Sequence, residues 1–521
     1  MISRSLLFIL SLGLAAAIDP LLFASFRIIN LKTSKDFILK GIAYQPKKGA
    51  PAGTLDPLAD EVGCLRDVEI FKDLGINAIR VYEVDPSKNH DICMKALSNA
   101  GIYVMLDLST PEVSIPRVNP YWDTYLLDQY KLKVDAFSTY DNILAFVAGN
   151  NVTIDVATVP ASAFVKASIR DVKTYLKSKN VTIPVGYTGN IDVATSFLSK
   201  RFFECGSDPL AMADFYGFSM RDIKIEESNS EYYYKLMLIN SYFSYTPNFI
   251  SEYGNNNGIS SDFYDVDFIY KNSTYSYSGG FLFGYSNEGD GNGLVDVNYG
   301  NSSVNKLPQY EIFKKKINQD ISSFLPTIST YKNRTDVIVC ECAVKNWIIN
   351  NSLPPPPSTD LCDCLSNTFT CQLPSTFNIN DPDQFKILNG KMFDLCKSVD
   401  CSDVTGNPLK NFYGKYSGCT PVQKANYILS LNFSKNNNTD QSCSIEGLDQ
   451  SLVINSTALN ISTCQSITDN YLSEYPGGIV DDGADGKTKC TPVSTGNNKY
   501  SSNVSRMFIL AAFISLISLI L

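Results

Sequence analysis

Carboxylates and amides, rather than imidazoles, are the groups with which this chain could do chemistry. Its 521 residues include a single histidine, His90. One imidazole cannot supply a two- or three-histidine metal site, and a Ser-His-Asp or Cys-His mechanism would rest on it entirely. Acidic, amide and aromatic residues recur instead along the first 290 positions: Gln45, Tyr82 with Glu83, Asp107, Asn150 with Asn151, Tyr187, Ser219, Glu252, and Tyr285 with Glu288. Carboxylates among such residues can act as general acids, general bases or nucleophiles. The amides and aromatics suit a ligand rich in hydroxyls.

The elements that position these residues are read from periodicity. Short β-rich runs cover Phe37–Tyr44, Asn77–Tyr82, Ile102–Asp107, Ile143–Asn150, Ile183–Tyr187, Ala213–Phe218, Asn248–Tyr253 and Gly280–Tyr285. Helix-like stretches alternate with them at Leu65–Leu74, Asp91–Ala100, Thr124–Tyr140, Ser162–Leu176, Glu231–Tyr242 and Phe263–Tyr270, with Gln309–Ile321 after the last strand. Eight strand-then-helix units predict an α/β fold, a (β/α)8 TIM barrel. No glycine-rich phosphate fingerprint follows the first strand, which disfavours an open doubly wound sheet. A barrel gathers its chemistry at the C-terminal ends of the strands, and those ends carry the residues named above.

The rest of the chain points to the secretory route. Arg4, an apolar run from Leu6 to Leu14 and Ala15–Ala17 read as a signal peptide over 1–17. Small residues near Ser494, a polar spacer and an uncharged apolar tail from Met507 to Leu521 read as a GPI-attachment signal, with Ser494 as the attachment residue and Asn497 or Asn498 as alternatives. Eleven of the fourteen cysteines fall between Cys340 and Cys490, as in a small disulfide-stapled module behind a larger domain. Zinc at the CxC pairs Cys340/Cys342 and Cys362/Cys364 lacks a histidine partner, and the acidic turns at 290–293 and 481–486 lack the twelfth-position Glu of a calcium loop. No metal or cofactor is expected. The formal charge of −9 disfavours nucleic acid. N-glycosylation is expected at Asn180, Asn272, Asn301, Asn333, Asn350, Asn432, Asn437, Asn455 and Asn460. The resulting division is a barrel over 18–330, a linker over 331–360 containing Pro354–Pro357, a Cys-rich module over 361–465, a stalk over 466–494 and an attachment propeptide over 495–521.

Several motifs run in order along the barrel: GIAYQ (41–45), IRVYEVDPSKNHDICM (79–94), AGIYVMLDLSTP (100–111), FVAGNNVT (146–153), IPVGYT (183–188), ADFYGF (213–218) and FISEYG (249–254). They resemble the fungal GPI-anchored β-1,3-glucanosyltransferases, the glycolipid-anchored surface protein family of glycoside hydrolases. The Cys-rich segment resembles the glucan-binding module of some members. The resemblance implies a retaining mechanism with two glutamates, an acid/base after the fourth barrel strand and a nucleophile at the end of the seventh. Glu252 matches the nucleophile, and Asn151 stands where the family has the acid/base Glu. Gln45, Arg80, Tyr82, Asp107, Asn150, Phe283, Tyr285 and Glu288 are carried over as substrate-binding positions.

Other departures accompany Asn151: Ser219 and Arg221 replace a family Asn and Tyr, Asn292 replaces a Tyr, and Asn255 stands at a family cysteine. The expected disulfides are Cys64 with Cys93, joining the first two barrel helices, and Cys205 with Cys340 or Cys342. The implied function is that of a GPI-anchored, monomeric protein at the outer face of the plasma membrane and in the cell wall. It would bind and remodel β-1,3-glucan with its proton-transfer group missing. Two alternatives stay open. One is an active retaining transglycosylase in which Glu83, Asp107, Glu288 or water replaces the lost acid/base; the other is a structural wall glycoprotein.

Overall fold

The computed structural model describes residues 18–51, 56–192, 194–241, 245–254, 262–289, 293–325, 340 and 343–475. The signal peptide, the attachment signal with Ser494, Asn497 and Asn498, and the positions Asn255, Asn292, Asn333 and Cys342 lie outside the described residues.

The chain opens with a small antiparallel sheet, β1 (Leu21–Ala24), β2 (Arg27–Asn30) and β3 (Lys35–Asp36). Eight parallel strands then close into a barrel: β4 (Leu39–Ala43), β5 (Ala78–Val81), β6 (Tyr103–Asp107), β7 (Ile143–Asn150), β8 (Val185–Asn190), β9 (Tyr216–Ser219), β10 (Asn248–Tyr253) and β11 (Gly279–Leu282). The helices between them are α1 (Glu61–Leu74), α2 (Asp91–Asn99), α3 (Thr124–Phe137), α4 (Ala161–Ser178), α5 (Ser196–Glu204), α6 (Glu227–Ser241) and α7 (Tyr264–Asp267), with α8 (Gln309–Ile317) after the last strand. Asp60 and Asp123 cap α1 and α3 through backbone N–H groups, and Gly75 ends α1 in the left-handed region.

Two features escape the sequence reading. The opening sheet is one: Ile28 packs with Leu39, Met105, Val147, Phe249 and Phe281, so the sheet plugs the barrel end opposite the strand C-termini. Its strands are too short for a clear alternation. The other is α5, a nine-residue helix dense in aromatics.

Behind the barrel, α9 (Thr359–Ser366), α10 (Pro382–Leu395), α11 (Pro421–Lys435) and α12 (Gln465–Glu474) share a second core built around Leu361, Leu388 and Leu429. Disulfides 362–419, 364–464, 371–443 and 396–401 staple it. The structure thus holds a TIM barrel and a disulfide-rich module. In the barrel it pairs Cys64 with Cys93 across α1 and α2, and Cys205 with Cys340.

Two boundaries need correction. Residues 466–474, read as the start of a stalk, belong to α12, because Tyr471 is buried against the module and donates to Pro356 O at 2.9 Å. The proline run is not a free spacer either, since Pro354, Pro355 and Pro357 are buried. The module sits directly on the barrel: Thr124 N donates to Gly418 O at 3.0 Å, Tyr413 donates to Ser352 O at 3.1 Å, and the rings of Phe164 and Tyr413 meet edge to face at 5.9 Å.

Candidate active site

At the C-terminal end of the barrel strands lies a cleft of about 890 Å³. The pairing register slips on β7 between Val147 and Gly149, and on β10 between Ile250 and Glu252. Such bulges re-aim the residues that follow them. Here they deliver Asn150 and Asn151 from one strand and Glu252 from the other to the same cavity.

Glu252 is buried and fully engaged. Its Oε1 accepts from the Tyr82 hydroxyl at 2.8 Å and from Arg80 Nη1 at 3.4 Å, and its Oε2 accepts from Ser219 Oγ at 3.0 Å. Arg80 also grips Asp107 with two bonds, Nε to Oδ1 at 2.9 Å and Nη2 to Oδ2 at 2.8 Å, and donates to Thr188 Oγ1 at 3.1 Å. Burial alone would lower the Arg80 pKa, but Asp107, Tyr82 and Glu252 outweigh it and push it up, so this cation is fixed. Burial raises the Tyr82 hydroxyl well above its usual range, and the Glu252 charge adds to that; Tyr82 therefore stays a hydrogen-bond donor.

Asn151 closes the opposite wall. Its backbone sits in the left-handed region at φ 49°, which asparagine tolerates better than most residues. Asn151 N donates to Thr188 O at 2.8 Å, and its carbonyl accepts from Arg117 Nε and Nη2 at 3.0 and 2.7 Å. Its side-chain Oδ1 is buried with no hydrogen-bond partner among the described residues. Asn150 is held by Thr188, whose hydroxyl donates to Asn150 Oδ1 at 2.8 Å.

Of the sequence-derived positions, Gln45, Tyr82, Asp107, Asn150, Asn151, Glu252, Phe283 and Glu288 line the cleft. Two do not, and both are corrections. Arg80 is fully buried beneath the floor and acts through Glu252 and Asp107 rather than on a ligand. Tyr285 points between barrel and helix, where its ring meets Tyr44 and Phe71 and its hydroxyl donates to Asp67 Oδ1 at 2.5 Å. Gly284, at φ 98°, turns the chain between them, so that Phe283 faces the cleft and Tyr285 the core. Tyr187, read as a polar strand end, is likewise buried, its hydroxyl accepting from Thr153 N. The strand continues three residues further than expected, and Thr188 supplies the polar group instead.

None of the three carboxylates considered as substitutes is a ready proton donor. Both oxygens of Asp107 are taken by Arg80. Glu288 accepts from Ser286 Oγ and Lys47 N. Glu83 does not line the cleft, though burial raises its pKa.

Sequence reasoning missed Arg117 and the wall from Ser114 to Val118. That loop carries no strand-end signal, and only its length between β6 and α3 marks it. Arg221, a departure from the family pattern, lies with its guanidinium 3.6 Å from the Phe283 ring centroid. Among the sequons, Asn180, Asn272, Asn301, Asn437 and Asn460 are exposed, while Asn350, Asn432 and Asn455 are half-buried.

Comparison with known proteins matches this architecture. The family model described as Glucanosyltransferase matches residues 11–321, and that of the X8 domain matches 380–450. The 1,3-beta-glucanosyltransferase GAS2 of Saccharomyces cerevisiae is 35% identical over 467 residues, covering 85% of this chain and 81% of its own length. Protein EPD1 of Candida maltosa is 34% identical over 447 residues, covering 83% and 78%. Gas2p from Saccharomyces cerevisiae, solved in complex with laminaripentaose, is similar in structure with a TM-score of 0.73 at 34% identity, covering 85% of this chain and 99% of that one. A glutamate-to-glutamine variant of Gas2p, solved with laminaritetraose and laminaripentaose, gives a TM-score of 0.72 at 33% identity, covering 88% and 99%.

Proposed function

Because this chain belongs to the glucanosyltransferase family, we propose that it holds β-1,3-glucan in the barrel cleft without transferring it, as a glucan-binding protein of the cell wall. The observation that carries this reading is Asn151. In a retaining reaction one carboxylate attacks the anomeric carbon while a second protonates the leaving oxygen and then deprotonates the acceptor. Glu252 is set for the first role, with Tyr82, Arg80 and Ser219 donating to it. At Asn151 an amide can neither give nor take a proton near neutral pH, and a group in that role contributes about 10²–10⁴-fold. Among the described residues, the other cleft carboxylates, Asp107 and Glu288, are engaged in hydrogen bonds of their own.

Binding survives this loss. The cleft keeps Gln45, Tyr82, Asn150 and Phe283 for sugar hydroxyls and ring faces. The glutamate-to-glutamine variant of Gas2p carries laminari-oligosaccharides, which supports an amide-bearing cleft as a binding site in this family. The secretory signal and sequons support residence at the cell surface, and the attachment signal supports a GPI lipid as the link to the plasma membrane.

The test is calorimetric titration of the purified chain with laminaripentaose. Saturable binding that weakens about tenfold or more in Tyr82→Ala or Phe283→Ala is the expected result. Absence of binding to the unaltered protein would sink the reading.

A further inference from the structure

At the end of the barrel opposite the cleft lies a groove of about 640 Å³. Three stretches far apart in sequence wall it: residues 21–23 of β1, residues 180–184 between α4 and β8, and residues 245–247 ahead of β10. Leu22 is 45% exposed there, and Phe23 and Tyr245 are half-buried. Apolar side chains gathered in one open hollow mark a place that meets a ligand.

The same wall carries an attachment point. Asn180, Val181 and Thr182 form an N-x-T acceptor, and all three line the groove. Asn180 follows α4 with its backbone in the left-handed region at φ 57°, and its N–H donates to Lys177 O at 3.0 Å. Val181 N donates to Leu176 O, also at 3.0 Å. These two bonds fix the direction of the turn. Val181 packs against the barrel core, while Asn180 and Thr182 stand exposed over the hollow.

Three charged residues share the lining, Lys173, Lys177 and Asp214. Lys173 donates to Asp214 Oδ1 at 2.7 Å and to the carbonyls of Pro209 and Met212 at 2.9 Å, and Asp214 Oδ2 accepts from Val185 N at 2.9 Å. That pair is spent within the protein. Lys177 is exposed, so its ammonium stays in water at the rim while its stem covers apolar surface. The groove therefore suits a neutral ligand with apolar faces and polar edges, which is the chemistry of an N-acetylhexosamine.

The geometry points to this groove as the seat of the protein's own N-linked glycan. In the secretory pathway Asn180 Nδ2 attacks the anomeric carbon of a lipid-diphosphate-linked oligosaccharide, loses a proton and releases the lipid diphosphate. The first N-acetylglucosamine units then fold back along Leu22, Phe23 and Tyr245. A ligand tethered at the rim is present at a high effective concentration, so modest contacts suffice to hold it. Seated there, the glycan joins β1 to the segments that enter β8 and β10, and it braces the sheet that plugs the barrel. The inference rests on the secretory reading of the chain and is independent of what the cleft binds.

The full chain is secreted from a fungal host and its glycopeptides are mapped by mass spectrometry. Asn180 should carry a glycan, and under native conditions peptide N-glycosidase should release it about tenfold more slowly than glycans at the other occupied acceptors, the protection expected from one or two aromatic contacts. Thr182→Ala, which removes the acceptor without altering Asn180, should lower Tm by about 2 °C or more. Thr182→Ser keeps the acceptor and should leave both release and Tm unchanged. A bare Asn180 in a protein glycosylated elsewhere would overturn the inference and leave the secretory reading standing, whereas a protein without any glycan would overturn both. Release from Asn180 as fast as from the other acceptors, or an unchanged Tm in Thr182→Ala, would show a glycan that projects into solvent, and the groove would lose its occupant.

Discussion

Asn151 combines two properties that are coupled at a single residue. In the proposed reading it takes the place of the proton-transfer group, and it sits at φ 49°, where asparagine is tolerated but a longer side chain is strained. Asn151→Glu should therefore raise β-1,3-glucan transfer by about 10²–10⁴-fold over the unaltered protein while lowering stability by about 1–3 kcal/mol. Product analysis and denaturant unfolding read the two effects separately. A stable Asn151→Glu protein with no gain in transfer would place the loss of activity elsewhere in the cleft. Arg80 has the opposite character. It is buried between Asp107 and Glu252, so Arg80→Ala would leave two buried carboxylates without their cation. A loss of about 3–5 kcal/mol is expected, read from the shift of the denaturant midpoint. A change below 1 kcal/mol would mean that the carboxylates take up protons or water at little cost.

Elements, more than single residues, separate what was legible from what was not. The eight barrel strands are readable because strand and helix periods alternate cleanly, and their polar ends mark the cleft. Tyr285 and Arg80 were misplaced because sequence shows that a residue lies near a strand end but not which way its side chain turns. Gly284 decides the first case and the Arg80 ion pairs the second. The module's helices were hidden by its cysteines and asparagines, and the docking of the module on the barrel left no local signal at all. That interface carries its own pH dependence. Asp123 caps α3 where the chain meets Gly418, and burial raises its pKa from 3.8 to about 6, partly offset by its backbone hydrogen bonds and by Lys424. Between pH 4 and 6 the folded state then holds a proton that the unfolded state has lost, so stability falls as pH rises through this window and levels off above it. Asp123→Asn should flatten this slope in unfolding curves collected across the window. An unchanged slope would show that Asp123 ionises freely in the folded protein.

The whole molecule is a family barrel with Glu252 buried among donors at the cleft, the amide of Asn151 in the opposite wall and a disulfide-stapled module seated against the barrel. Motifs along the barrel make the family visible from sequence alone, and the resemblance sets Asn151 where the family has its acid/base Glu. The state of the remaining carboxylates was not visible, because it depends on Arg80, Ser286 and Lys47, which only the fold brings to them. Their engagement turns the absence of one glutamate into a prediction for the entire protein: it binds glucan and leaves it unchanged. The most direct test is to incubate the purified protein with reduced laminari-oligosaccharides and follow chain lengths by mass spectrometry while binding is verified in the same sample. An unaltered length distribution with the oligosaccharide bound is the predicted result. Longer and shorter products that disappear in Glu252→Gln would contradict the account, because they would show that this cleft transfers glucan despite Asn151.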